Sequence, residues 1–199
     1  MFTRIVTFTG ATDIDAGVRY LRDTAAPLLR NQKGFRGVSA SADRSGGVLG
    51  VLSLWETEAD RAASDSALDK SRAEAQRVIG GQVTVELFEE LEVETAEPPT
   101  VGCSLLVRRV SMDPARIEEN LDTFRREVLP EIKAAPGFRA IRRMINRQTG
   151  EAMVGTVWSD RAAMDAAAGA AEARRAQAAR QGVTFGEQSK RELVFAELP

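Results

Sequence analysis

The chain has 199 residues, 43% hydrophobic and 28% charged, with 27 basic against 29 acidic side chains and a formal net charge of −2. That describes one large globular domain or two small ones, with no net field to attract nucleic acid or an anionic membrane. There is no histidine and one cysteine, Cys103, which removes the commonest metal ligand, the usual near-neutral base, Ser-His-Asp and Cys-His chemistry, and any internal disulfide.

In chain order, Arg4 to Thr9 reads as a strand, with Phe2, Val6 and Phe8 on one face and Ile5 on the other. Asp13 reads as the N-cap of a helix whose apolar residues Ile14, Val18, Leu21, Ala25, Leu28 and Leu29 recur three or four apart. Gly34 ends it. Phe35 to Asp43 and Val48 to Trp55 form a hairpin around Arg44-Ser45-Gly46-Gly47. Thr57 caps a second helix reaching about Ile79, Gly80-Gly81 stops it, and Val83 to Leu91 is the fourth strand. Glu94 to Thr100, rich in proline and acid, reads as a linker. The pattern then restarts with a strand over Ser104 to Val110. An Asp113-Pro114 cap opens a helix that buries Ile117, Leu121, Phe124, Val128 and Ile132 and ends near Pro136-Gly137. Phe138 to Arg147 and Glu151 to Trp158 form a hairpin across Gln148-Thr149-Gly150, an alanine-rich helix runs from Ser159 to about Gln181, and the last strand lies within Glu187 to Leu198.

The two halves carry the same landmarks. Gly34-Phe35-Arg36 recurs as Gly137-Phe138-Arg139, Trp55 as Trp158 and Pro27 as Pro130, all at one spacing of 103 residues. The chain therefore divides into domains at 1–94 and 101–199, each β-α-β-β-α-β. Strict alternation puts Phe138, Ala140 and Met144 on one face of the second hairpin and Ile141 and Ile145 on the other. A sheet apolar on both faces needs a second partner besides its helices. The expected fold class is α+β: two tandem ferredoxin-like domains packed sheet to sheet as an intramolecular pseudo-dimeric α+β barrel.

The order of elements resembles the antibiotic-biosynthesis-monooxygenase domain of the dimeric α+β barrel superfamily. So do Gly-Phe-Arg opening each second strand and a tryptophan closing each third strand before an acidic helix start (Trp55-Glu56-Thr57-Glu58 and Trp158-Ser159-Asp160). The chain is similar to a tandem fusion of two such domains. The resemblance implies a ligand pocket between sheet and helices in each domain, with Trp55 and Trp158 near it. It also implies activities ranging from cofactor-free oxidation of aromatic polyketides or quinols to haem degradation. The haem-degrading members have a histidine about ten residues after the tryptophan and an asparagine on the first strand. Here the histidine's place holds Asp65 and Ala168, and neither first strand contains asparagine, which disfavours haem degradation.

The function expected is a cofactor-independent monooxygenase-like protein acting on a small aromatic or quinol-type compound. The alternative is a non-catalytic binding module for a small hydrophobic metabolite, and a third reading is a structural domain with a filled core. Tyr20 and Asn146 are the candidate catalytic residues: a phenol able to donate a proton, and an amide able to polarise an enolate oxygen. Trp55, Trp158 and Arg142 are the candidate substrate-binding residues. Each also has a plain structural role open to it: the tryptophans as anchors of the sheet–helix junction, Tyr20 at a wet helix edge, Asn146 and Arg142-Arg143 on a solvated strand edge. Arg36 and Arg139 are expected to pair with acids such as Glu90 or Glu192, and Cys103 to be an inert small apolar residue. The halves differ most in their second helices, so no more than one pocket is expected to work, and two equivalent cavities would contradict that. No cofactor, metal, nucleic-acid or membrane partner is expected. The location expected is cytoplasmic. The assembly expected is a monomer with an internal pseudo-two-fold, a helix-mediated dimer staying open.

Overall fold

The structure, a computed structural model, describes residues 1–180 and 182–198, the side chains of 172–174 and 177 lying outside that description. The first half runs β1 (Phe2–Thr9), α1 (Ile14–Tyr20), a π-helical turn (Leu21–Ala25), α2 (Ala26–Arg30), β2 (Phe35–Asp43), β3 (Val48–Trp55), α3 (Glu58–Ala63), α4 (Asp65–Ile79) and β4 (Gln82–Thr95). The second runs β5 (Ser104–Ser111), a 3-10 turn (Pro114–Arg116), α5 (Ile117–Thr123), a second π-helical turn (Phe124–Val128), α6 (Leu129–Ala134), β6 (Phe138–Ile145), β7 (Glu151–Trp158), α7 (Arg161–Ala170), α8 (Glu172–Arg180) and β8 (Thr184–Glu197). In hydrogen-bonding order the strands are β1-β3-β2-β8-β5-β7-β6-β4, a closed ring. The fold is α+β with a closed antiparallel eight-stranded barrel. Among the described residues no helix is long and apolar enough to cross a membrane.

The chain forms two compact units, 1–87 with 191–199, and 88–190. The sequence repeat divides at the proline linker instead; the difference lies in two 14-residue strands, β4 and β8, each of which contributes to both units. β4 runs on through Glu94 and Thr95, where the sequence reads as linker, because those residues pair with Ile141 and Ala140 of β6. Its acids are not wasted on an edge: Glu94 accepts from Lys133 Nζ at 2.6 Å, and Glu92 pairs with Arg125. The end expected for the last helix, Gln181, lies outside the described residues.

The repeated landmarks each have a physical cause. Pro27 and Pro130 lack the backbone N–H that a regular helix would use, and each follows a π-helical turn. In those turns the N–H of Ala26 reaches back to Leu21 O and that of Leu129 to Phe124 O. Gly34 and Gly137 hold φ of +72° and +79°, and their carbonyls accept from Glu56 N and Ser159 N at 2.7 Å. Phe35 and Phe138 meet the tryptophans edge to face, with ring centroids 5.7 and 5.9 Å apart. Thr57 and Asp160 cap the following helices through Asp60 N and Ala163 N.

The register also corrects one face assignment. Phe138 packs with Ile141, Trp158 and Leu106, not with Ala140 and Met144. A β-bulge between Phe138 and Ala140 turns the strand by one residue, as one between Phe35 and Gly37 does in β2. Arg36 and Arg139 pair with Glu56 and Glu97 rather than with Glu90 or Glu192. Cys103 is a buried free thiol.

Candidate functional site

Each unit has a hollow between its sheet and its helices, and the two are unequal. In the second unit the cavity measures about 210 Å³; in the first, about 70 Å³. An apolar cavity of about 150 Å³ accepts a benzene molecule, so the larger one suits one or two fused rings.

The difference follows from side-chain size at matched positions. Shifted by 103 residues, Tyr20 becomes Thr123, Leu68 becomes Ala171 and Asp65 becomes Ala168. On the first strands the pairings Phe2 with Trp55 and Ser104 with Trp158 set the match, so Arg4 becomes Leu106 and Phe8 becomes Val110. In the first unit these larger groups narrow the space. Arg4 is 2% exposed. Its Nη1 donates to Ser64 Oγ at 3.0 Å, its Nη2 pairs with Asp65 at 2.9 Å, and its guanidinium carbon lies 5.3 Å from the Trp55 ring centroid. Burial lowers its pKa, while Asp65 opposes that shift. The Tyr20 hydroxyl donates to Ser71 O at 3.3 Å and lies 3.1 Å from Ser71 Oγ, tying α1 to α4. Gly17 lets these helices approach: a Cβ there would come within 2.6 Å of Ile79 Cγ1. Its counterpart in the second unit is Asn120.

The second cavity is walled by Leu106, Val110, Phe124, Val154, Trp158 and the alanines of α7 and α8, with Arg108, Asn120, Thr123, Glu131, Arg143, Thr156 and Arg175 as polar residues of its lining. Trp158 is 2% exposed and donates from Nε1 to Thr156 Oγ1 at 3.1 Å. Arg143 is 5% exposed; its Nη2 donates to Asn120 Oδ1 at 2.8 Å, and its guanidinium carbon lies 4.0 Å from the Phe124 ring centroid. Burial pushes its pKa down to about 10, so it is still a cation at neutral pH. Arg108 is lowered too, by burial and then by the charge of Arg175, and its Nη2 donates to Gln188.

Of the five residues singled out from sequence, Trp158 alone lines this cavity. Tyr20 lines the smaller one. Trp55 is fully buried beneath Arg4 and donates to Ser53 Oγ at 3.0 Å. Asn146 sits in the β6–β7 turn, where its Oδ1 accepts from Gln148 N and Thr149 N at 3.0 and 3.3 Å; an amide so used shapes a turn. Arg142 alternates to the sheet face away from the helices and pairs with Glu90, itself 4% exposed. Arg143, Arg108, Asn120 and Phe124 are the cavity residues that the sequence reading did not select. A signal existed for Arg143, since it alternates with Ile141 and Ile145 and so shares their helix-facing side.

Residues 104–179 match the family described as Antibiotic biosynthesis monooxygenase. An uncharacterized protein of Mycobacterium tuberculosis (strain H37Rv) is 26% identical over 152 residues, covering 76% of this chain and 68% of its own length. Among solved structures, a proposed monooxygenase from Lactobacillus acidophilus NCFM has a TM-score of 0.68 at 12% identity, over 100% of this chain and 99% of its own. An anthrone oxidase-like protein has a TM-score of 0.67 at 17% identity, over 98% and 92%. At these identities the structures share a fold with this chain.

Proposed function

Because residues 104–179 match the antibiotic biosynthesis monooxygenase family, we propose that the chain is a single-site, monooxygenase-like protein whose second unit takes one small aromatic or quinol-type compound, and whose first unit is a narrowed copy too small for a ring. The observation that carries this is the inequality of the cavities, about 210 against about 70 Å³, with the tryptophan, Phe124 and an alanine-lined helix around the larger. The substrate itself would supply the electrons for dioxygen. One oxygen atom would enter the substrate, and the other would leave as water with the two hydrogens given up. The protein's part would be to orient the ring, exclude water and stabilise negative charge on the substrate oxygen with the Arg143 guanidinium.

A second reading, a binder without turnover, is favoured by one fact. Of the described groups lining the cavity, the ionisable ones are arginines, which cannot act as bases, and one carboxylate, Glu131, which is exposed, so no buried base is at hand to start the reaction.

Oxygen consumption with a panel of one- and two-ring quinols separates the two readings. The monooxygenase reading expects uptake above the protein-free rate that Ala171→Leu abolishes. Binding of the same compounds without uptake favours the binder. No binding and no uptake would leave a structural domain.

A further inference from the structure

Arg143 holds a buried positive charge for which the described residues of the second unit supply no ion-pair partner. It sits between Ile141 and Ile145 on the helix-facing side of β6, 5% exposed. Its contacts are neutral: the Asn120 amide oxygen and the Phe124 ring. The acid that acts on it through space, Glu92, is bonded to Arg125. Among the described residues no carboxylate is within ion-pair reach of Arg143, and its Nη1 is buried without a hydrogen-bond partner. A buried cation left so is costly unless something arrives to pair with it. Among the described residues, the lining also carries the guanidiniums of Arg108 and Arg175 and the exposed carboxylate of Glu131.

Asn120 lines the same cavity and accepts from Arg143 through its oxygen, which leaves its amide nitrogen to donate. A guanidinium and an amide nitrogen on the same cavity wall match the two oxygens of one carboxylate. A phenol presents one oxygen and stays neutral at pH 7, so it would meet the charge only in part. We propose that the natural ligand of the cavity is an arene carboxylate of one or two rings, with its ring against Trp158, Phe124 and the α7 alanines and its carboxylate on the Arg143 guanidinium and Asn120. This rests on reading the cavity as a small-molecule site.

The test is calorimetric titration of the full chain with 2-naphthoate, 2-naphthamide and 2-naphthol at pH 7, which share a ring system and differ in the polar group. The expected result is naphthoate binding at least about ten-fold tighter than either neutral analogue, the scale of one charge-assisted contact. In Arg143→Met the naphthoate preference should vanish while naphthamide still binds. Asn120→Ala should narrow the preference and serves if Arg143→Met does not fold. Equal affinity for naphthoate and naphthamide, or tighter naphthol, would overturn the carboxylate assignment and leave the cavity as a ligand site. No binding of any of the three would overturn the small-molecule reading itself.

Discussion

Gly137 shows how one residue can fix a junction. Its φ of +79° is open to glycine at little cost, and a Cβ there would lie 2.6 Å from both Ala163 Cβ and Ser159 Oγ. Gly137→Ala should therefore destabilise the chain by about 2 kcal/mol or more in urea unfolding, from left-handed strain and the clash together. An effect below about 0.5 kcal/mol would mean the junction relaxes freely. Asp65 anchors the Arg4 cluster in the first unit. Asp65→Asn leaves Arg4 with Ser64 and the Arg61 carbonyl, and Asp65 is itself partly exposed, so the expected cost is about 1–2 kcal/mol. At this scale the sequence was legible where a residue's constraint is local. The glycine, the paired phenylalanine and tryptophan, and the caps at Asp13 and Thr57 all act within a few residues or across one hairpin. The candidate site was less legible, because occupancy of a side chain is decided by distant partners. Nothing near Arg4 in sequence tells that it will fill a cavity with Asp65, whereas Asn146, bonded to residues two and three positions on, carried its signal in the adjoining turn.

The elements differ between the halves where the second helices supply small or large side chains. Leu68 on α4 is 5% exposed, and its counterpart on the α7–α8 helix pair is Ala171. Ala171→Leu should close the larger cavity. Three added carbons can raise the unfolding free energy by up to about 2 kcal/mol if they fit, and 2-naphthoate binding should fall at least about ten-fold by titration. Unchanged binding would place the ligand elsewhere. The alanine run was visible in sequence as a helix with room beside it. The π-helical turns were not, although proline at 27 and 130 marks their C-terminal ends, because apolar spacing is nearly the same over one widened turn. The β-bulge at Phe138 was also invisible. A bulge follows from how two strands pair, and strict alternation applied to one strand assigns Phe138 to the wrong face.

At the scale of the whole molecule, the carboxyls set the response to acid. Hydrogen bonds from Gly46 N and Ser45 hold Asp43 below the usual carboxylate range, and those from Ala163 N and Ser159 do the same for Asp160. Asp165 is lowered by Lys190, and Asp60 by Thr57. A carboxyl with a depressed folded pKa adds stability that is complete above its unfolded value and is lost as pH falls through the folded one. The denaturation midpoint should therefore be flat from pH 8 to 6 and fall below about pH 4; a midpoint that rises on acidification would contradict those bonds. The β-α-β-β-α-β repeat was readable from periodicity and turn residues. The division of β4 and β8 between two compact units was not, since acids and prolines near Glu94 read as linker until a partner strand pairs with them. The functional reading stands on one cavity being wide enough for a ring and its copy too narrow. A crystal structure under xenon pressure tests it most directly, because xenon enters apolar cavities without needing a polar partner. The expected result is a xenon site beside Trp158 and Ala168 occupied well above any beside Tyr20 and Leu68. Equal occupancy in both units, or none in the second, would contradict it.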